Sequence, residues 1–216
     1  MRFYFAFSLL LFSSILLGQK TKLIKDKETN EIYFILKSNS TRHGEYQKLG
    51  VYNNLLVNGY YKNGARDSIW DYYNATGELI QKFNFTNDSI MFYKLSDNEK
   101  DLRYKLINGV DNPYVTLDRP PMFLGGLEAL AQEIIPHIEY PEEAFKNGIS
   151  GRVFVTFIIN KEGEIGSFSI SKPLGHGLDD EAIRVLKLLP KNWIPGLYNG
   201  EKVDIEYTYP VTFRIL

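Results

Sequence analysis

The sequence predicts an α+β protein in which an N-terminal β-meander of hairpin repeats precedes a C-terminal domain of strands and helices. From about residue 30 to residue 97, aromatic and β-branched residues alternate with polar ones and are interrupted by turn pairs such as Asn63-Gly64, which is typical of successive hairpins. From Tyr140 to Phe213, apolar residues at helical spacing alternate with apolar residues at period two. This pattern indicates helices packed on a sheet.

The composition is that of an ordinary globular protein and excludes several function classes. The 216 residues are 44% apolar and 24% charged, and the net charge is −1. A balanced charge offers no basic footprint for nucleic acid or for an anionic membrane surface, so no nucleic-acid partner is expected. The absence of cysteine excludes disulfide frameworks, thiolate metal sites and the cysteine of a lipoprotein.

The N-terminus predicts export. Arg2 is followed by an apolar run from Phe3 to Leu17, which is short for a transmembrane helix and typical of a secretory signal peptide. Gly18 offers a small residue for cleavage, so we predict a signal peptide over residues 1–18 and a periplasmic or envelope location. The alternative is an uncleaved anchor flanked by Lys20, which would associate the protein with the membrane.

Residues 19–95 are predicted to form the hairpin domain. The centre of this segment, from Gly59 to Leu79, resembles the MORN-like hairpin repeat of bacterial antitoxin-type repeat proteins, in a degenerate form: Ser68 stands where these repeats usually carry glycine. Residues 96–119 are rich in polar residues and proline. They predict a linker with one short strand near residues 102–107.

The C-terminal domain is predicted to span residues 120–216 and to contain three short helices. Their apolar residues follow helical spacing, and proline or glycine stands at their ends. Asp179 is predicted to be the N-cap of the third helix. The predicted helices cover residues 127–134 before Pro136, the segment from Pro141 to Gly148, and residues 178–189 before Pro190.

Three strands complete the predicted domain. A strand from Gly151 to Asn160 is apolar on both faces, which predicts a central position. A hairpin turn at residues 160–163 leads to a second strand. The last strand, from Val203 to Ile215, alternates strictly between apolar and polar residues, and Pro210 places it at a sheet edge because proline has no N–H for the ladder.

Glycine, proline and apolar residues in this region also follow one another in a recognisable order. They are Tyr140-Pro141, Ala144, Gly148, Gly151, Val153, Val155, Phe157, Gly163, Leu178-Asp179, Ala182, Trp193-Ile194-Pro195-Gly196, Gly200 and Pro210-Val211-Thr212-Phe213. With the upstream segment from Pro121 to Ala129, this order resembles the C-terminal domain of TonB, the energy transducer of Gram-negative envelopes. The resemblance implies a three-stranded antiparallel sheet in the order ββαβ, with helices on one face.

The resemblance also implies partners. Members of the TonB family bind a peptide of an outer-membrane TonB-dependent transporter and are coupled to proton-driven motor proteins of the inner membrane. No proline-rich arm is visible in this sequence, and the hairpin domain stands in its place, so force transmission from the inner membrane does not follow from the resemblance.

The last strand is the predicted partner-binding site. A half-buried edge strand can accept an extended peptide through backbone hydrogen bonds, a mode called β-augmentation. The predicted binding residues are Val203, Asp204, Ile205, Glu206, Tyr207, Thr208 and Tyr209.

No catalytic residue, metal site or cofactor is predicted. The histidines His43, His137 and His176 lack ligand spacing, and no nucleophile elbow, phosphate loop or dinucleotide fingerprint is present. Asp179, with Asp180 and Glu181, could bind a metal ion, but a helix dipole explains acidic residues in a first turn. Trp193 is predicted to plug the core rather than to form an exposed platform.

Three function hypotheses remain open. The first is an exported TonB-like protein that binds a transporter peptide and contributes to energy-coupled transport across the outer membrane. The second is a periplasmic interaction scaffold without energy transduction. The third is a carbohydrate-binding envelope protein that uses a groove lined by Trp70, Tyr72 and Tyr73, although hairpin repeats need such aromatic residues for their own core.

Overall fold

The computed structural model describes residues 20–94, 102–190 and 192–215. The predicted signal peptide lies outside these residues. Within these three segments, no helix is both long and apolar enough to cross a membrane.

The N-terminal half is an antiparallel meander. Each strand pairs with its neighbours in the sequence, so the order in the sheet is the order along the chain. The predicted meander is therefore confirmed. Its strands are β1 Thr21–Asp26, β2 Glu31–Leu36, β3 Arg42–Leu49, β4 Leu55–Lys62, β5 Ala65–Tyr73, β6 Leu79–Asn84 and β7 Ser89–Tyr93.

Two positions show why the sequence forms tight hairpins here. Asn63 and Gly64 have positive φ angles of 51° and 88°, as a two-residue type I′ turn between β4 and β5 requires. At Gly59, an added β-carbon would lie 2.2 Å from the indole ring of Trp70. Glycine at this position therefore lets the Trp70 side chain, which is 1% exposed, lie across β4.

The C-terminal half contains nine strands among the described residues. They are β8 Arg103–Leu106, β9 Tyr114–Thr116, β10 Met122–Phe123, β11 Gly151–Ile159, β12 Ile165–Lys172, β13 Trp193–Ile194, β14 Gly196–Tyr198, β15 Glu201–Val203 and β16 Ile205–Phe213. Five of them form a sheet in the order β12-β11-β16-β8-β9, and two short ladders join β10 to β13 and β14 to β15.

This sheet is larger than the predicted three-stranded sheet. β8 and β9 add to it from residues 96–119, the predicted linker, and β8 coincides with the short strand predicted there. β16 lies beside β11, as the resemblance implies, but β8 pairs with its first residues, Ile205 and Glu206. The C-terminal sheet therefore draws on residues upstream of the predicted boundary at residue 120, and β16 is not an edge strand over its whole length.

Helices accompany the C-terminal sheet. They are α1 Gly126–Ile134, α2 Glu142–Lys146, α3 Leu178–Lys187 and a single 3-10 turn, Ile135–His137. The N-cap of α3 is Gly177, so the predicted cap at Asp179 is wrong. The Asp179 carboxylate lies inside the first turn, where it accepts hydrogen bonds from the backbone N–H groups of Leu174 and Gly175 at 2.9 and 2.8 Å.

Two hydrophobic clusters form the interior of the part of the chain that the structure describes. The larger one lies between the five-stranded sheet and the helices, and all of its buried residues belong to residues 104–213. The smaller one lies on one face of the meander around Trp70, and it includes Leu124 and Ile194 from the C-terminal half. The meander core is thus completed by the other half of the chain.

Candidate partner-binding edge

β16 is the strand on which the predicted binding site lies, and its two sides differ. On one side it pairs with β11 along its whole length, from Gly151 opposite Phe213 to Ile159 opposite Ile205. On the other side the register with β8 covers Ile205 and Glu206 only. Among the described residues, no strand is in register with this second side from Thr208 to Phe213.

The hydrogen bonds fix which residues face the second side. The backbone N–H of Ile107 donates to the carbonyl of Asp204 at 2.9 Å, so the backbone groups of residue 204 point towards β8. Backbone groups of successive residues in an antiparallel strand point to opposite sides. Those of Thr208, Pro210 and Thr212 therefore point to the side without a partner strand, and the missing N–H of Pro210 costs no bond to β11.

Only part of the predicted site is such an edge. Val203 lies in β15, which pairs with β14, and the backbone groups of Asp204 and Glu206 face β8. The Asp204 carboxylate also accepts the backbone N–H of Lys161 at 2.7 Å. The prediction that residues 203–206 form an open edge is therefore wrong. The segment that pairs with Ile205 and Glu206 is β8, which lies far upstream, and sequence spacing does not show where it packs. The available ladder begins at Thr208 and extends to Thr212, beyond the predicted end at Tyr209.

Side chains on β16 are divided between the core and the open face of the sheet. Ile205 is fully buried and faces the helices, where Tyr207 and Tyr209 pack against the same cluster. Burial raises the pKa of the Tyr209 hydroxyl, which therefore stays protonated at neutral pH. On the open face, the hydroxyl groups of Thr208 and Thr156 are 2.9 Å apart. This cross-strand pair holds β16 against β11 while leaving the second side of the ladder accessible.

The boundary between covered and open edge is held by two contacts to β8. Lys105 forms an ion pair with Glu206 at 3.1 Å. The ring of Tyr104, which is 8% exposed, stacks on Tyr207 with centroids 6.5 Å apart. These β8 residues were not predicted as part of the site. The alternation of Tyr104 and Leu106 with charged residues is the only sequence pattern that marks them.

The other candidate residues have structural roles. Trp193 is 6% exposed and packs edge-on against Phe123 and Phe157, so the prediction that it plugs the core is confirmed. Trp70 and Tyr72 are 1% and 4% exposed and belong to the meander core. No group of three histidine, aspartate or glutamate side chains is arranged to hold a metal ion in the part of the chain that the structure describes.

Comparison with known proteins identifies the C-terminal segment. Residues 136–215 match the family model described as the Gram-negative bacterial TonB protein C-terminal, which confirms the resemblance. This family is a non-enzymatic energy-transducer domain associated with the cell envelope and with outer-membrane transporters. The match indicates a TonB-like protein involved in energy transduction. Neither a curated protein nor a solved structure matches the chain.

Proposed function

We propose that this chain is an exported TonB-like protein whose C-terminal domain binds an extended peptide of an outer-membrane transporter by strand addition to β16, and so contributes to energy-coupled transport across the outer membrane. The observation that supports this proposal most directly is the ladder of Thr208, Pro210 and Thr212, which lies within the matched segment and has no partner strand among the described residues.

The geometry supports an added strand of about five or six residues. At about 3.3 Å per residue, residues 208–213 offer an edge of roughly 16–20 Å. The added strand would lie on the same side of β16 as β8, with its backbone bonds supplying affinity and its alternate side chains supplying specificity. Half of those side chains would meet the open face near Thr208, and half would lie on the helix side near Tyr209.

The position of β8 limits the peptide at one end. Because β8 pairs with Ile205 and Glu206, a bound strand cannot extend past Tyr207 unless β8 moves away. The partner peptide is therefore expected to pair with the C-terminal part of β16 rather than with the predicted residues 203–206.

Thr208→Pro is the sharpest test of this proposal. Proline at residue 208 removes an N–H that faces the second side of β16 and leaves the bonds to β11 in place. The matched control is Thr208→Val, which keeps that N–H but, like proline, loses the hydroxyl contact with Thr156. We expect Thr208→Pro to weaken binding of a transporter peptide about tenfold relative to Thr208→Val, since one hydrogen bond is lost and a carbonyl partner is left unpaired.

Binding is measured by isothermal titration with a synthetic peptide from the periplasmic end of a transporter encoded in the same genome. Photo-crosslinkers at Thr208 and Thr212 should label the peptide, and a crosslinker at Tyr52, which is 90% exposed in the turn before β4, should not. Equal affinities for folded Thr208→Pro and Thr208→Val would show that the partner does not bind through this edge.

A further inference from the structure

A cavity of about 130 Å³ lies where the meander meets α1. The meander side includes Arg66, Trp70 and Tyr72, and the C-terminal side includes Gly125, Glu128 and Asn192. An engineered protein cavity of about 150 Å³ accepts benzene. The cavity is therefore similar in size to one that holds benzene, and its walls come from both halves of the chain.

Tyr72 lines this cavity and carries a buried hydroxyl group. The side chain is 4% exposed, and its hydroxyl oxygen has no hydrogen-bond partner among the described residues. Burial raises the pKa of this hydroxyl, so it remains protonated. Buried polar groups are nearly always paired, and an orphaned one costs about 1–3 kcal/mol. A molecule that occupies the cavity and offers a hydrogen-bond acceptor would pair this group.

Arg66 supplies positive charge at the same place. Its guanidinium group lies over the ring of Trp70, 5.1 Å from the centroid, and donates one hydrogen bond to the Asn192 side chain at 3.0 Å. No carboxylate of the described residues lies within 4.0 Å of it. Trp70 is a neighbour of both groups, because its ring centroid also lies 6.5 Å from that of Tyr72.

The carboxylates that line the cavity are already engaged. Glu31 binds Arg42 at 2.7 Å, Glu133 lies 3.9 Å from Lys48, and Glu128 accepts the backbone N–H of Ala75 at 3.3 Å. Arg66 is therefore the one cation lining the cavity that lacks a carboxylate partner within the described part of the chain. An acceptor with negative charge would satisfy both Arg66 and the Tyr72 hydroxyl.

We propose that this interdomain cavity binds the carboxylate of a small aromatic acid, with the carboxylate on Arg66 and the Tyr72 hydroxyl and the ring against the aromatic wall around Trp70. The same chemistry is presented by a free acid and by the C-terminal carboxylate of a peptide that ends in phenylalanine. This site is separate from β16 and does not depend on strand addition.

The test uses the full mature chain and benzoate, with benzamide as the uncharged analogue of the same shape. The chain has two tryptophans, so the indole N–H resonances of Trp70 and Trp193 can be followed separately by NMR. Benzoate is expected to shift the Trp70 resonance in a saturable way and to leave that of Trp193 unchanged. Benzamide should bind at least tenfold more weakly, because it lacks the charge that Arg66 complements.

Tyr72→Phe removes only the hydroxyl, and Tyr60→Phe is its matched control on a residue that does not line the cavity. Tyr72→Phe should weaken benzoate binding about tenfold or more without lowering the melting temperature of the ligand-free protein, since it removes an unpaired group. Arg66→Gln should weaken binding by a similar factor. A Trp70 resonance that does not move, equal binding of benzoate and benzamide, or equal binding by Tyr72→Phe and Tyr60→Phe would each overturn the proposal.

A peptide ending in a phenylalanine carboxylate and the same peptide with an amidated end distinguish the two sources of the ligand. Binding of benzoate alone assigns the site to free acids, and binding of the free-carboxylate peptide as well assigns it to chain ends.

Discussion

The meander and the C-terminal domain bury their cores by different routes. In the meander every strand pairs with its sequence neighbour, whereas in the C-terminal sheet Ile205 pairs with Leu106, about a hundred residues away. The C-terminal cluster contains only residues from its own half, but the meander cluster includes Leu124 and Ile194 from the other half. The half with the simpler topology therefore draws residues of its core from its neighbour, whereas the larger core is built from residues of the C-terminal half alone.

The largest expected effect comes from separating the halves. Residues 102–216 should unfold cooperatively, because their core is self-contained. Residues 20–94 should form a loosely packed state, since the loss of Leu124 and Ile194 uncovers the side of Trp70 and Tyr72 that faces the other half. Near-ultraviolet circular dichroism, urea unfolding and binding of a hydrophobic dye measure the difference. A cooperative meander fragment beside a molten C-terminal fragment would reverse the direction of dependence.

A shorter fragment, residues 120–216, shows how much β8 and β9 contribute. We predict that it folds alone, since the helices and the adjacent strands β12, β11 and β16 remain, but with a lower free energy of unfolding than residues 102–216. The missing Tyr104 belongs to the buried cluster, and removal of a buried aromatic side chain costs about 3–5 kcal/mol. Urea midpoints of the two fragments measure this contribution, and equal midpoints would show that β8 and β9 add nothing to the core.

A single substitution in the C-terminal half tests the same dependence within the intact protein. Leu124 is 7% exposed and packs in the meander cluster, whereas Leu127 is 47% exposed. Leu124→Ala should lower the free energy of unfolding by about 2–5 kcal/mol, and Leu127→Ala by less than about 0.5 kcal/mol.

The loss should be visible in the meander itself. Amide hydrogen exchange of β4 and β5 is expected to accelerate in Leu124→Ala and to stay unchanged in Leu127→Ala. If exchange accelerates only in α1 and the C-terminal sheet, Leu124 stabilises its own half and the shared core has no energetic importance.

The local parts of both halves could be predicted from the sequence. Asn63-Gly64 and the alternation of aromatic residues predicted the meander, because hairpins are encoded by neighbouring residues. The short strand near residues 102–107 was predicted as well. Its pairing with β16 was not, because register between distant strands depends on tertiary packing and leaves no periodic pattern.

The same difference between local patterns and distant pairing explains which parts of the candidate site could be predicted from the sequence. Strict alternation from Ile205 to Phe213 predicted which side chains face the core. Pro210 lies in the part of β16 that has no strand in register on its second side among the described residues. The extent of that edge was misplaced towards Val203, because the sequence does not show that the segment after Arg103 returns to pair there. The cavity at Tyr72 was also missed, since Tyr72 and Asn192 are brought together only by the contact between the two halves.

The smallest expected effect concerns the outer edge of the meander, where an exposed ion pair contributes to stability instead of buried core residues. Lys94 binds Glu78 across this edge, and both side chains are about half exposed. The hydrogen bond and charge of Lys94 hold the pKa of Glu78 below its ordinary value. A carboxyl pKa that is lower in the folded state contributes stability above the unfolded pKa, and this contribution is lost as the pH falls through the folded pKa.

Lys94→Gln should therefore raise the pKa of Glu78 in an NMR titration and slightly reduce the difference in stability between neutral and acidic pH. One molar salt should produce much of the same change in the parent protein, because exposed pairs are screened. Asp26 provides the internal control, because backbone N–H groups of Thr29 and Glu28 hold its pKa down. Neither Lys94→Gln nor salt should therefore change the pKa of Asp26 as much as that of Glu78. If Glu78 titrates identically in Lys94→Gln and the parent protein, this pair does not hold the carboxylate in its charged form, and the edge of the meander is maintained by its backbone ladder alone.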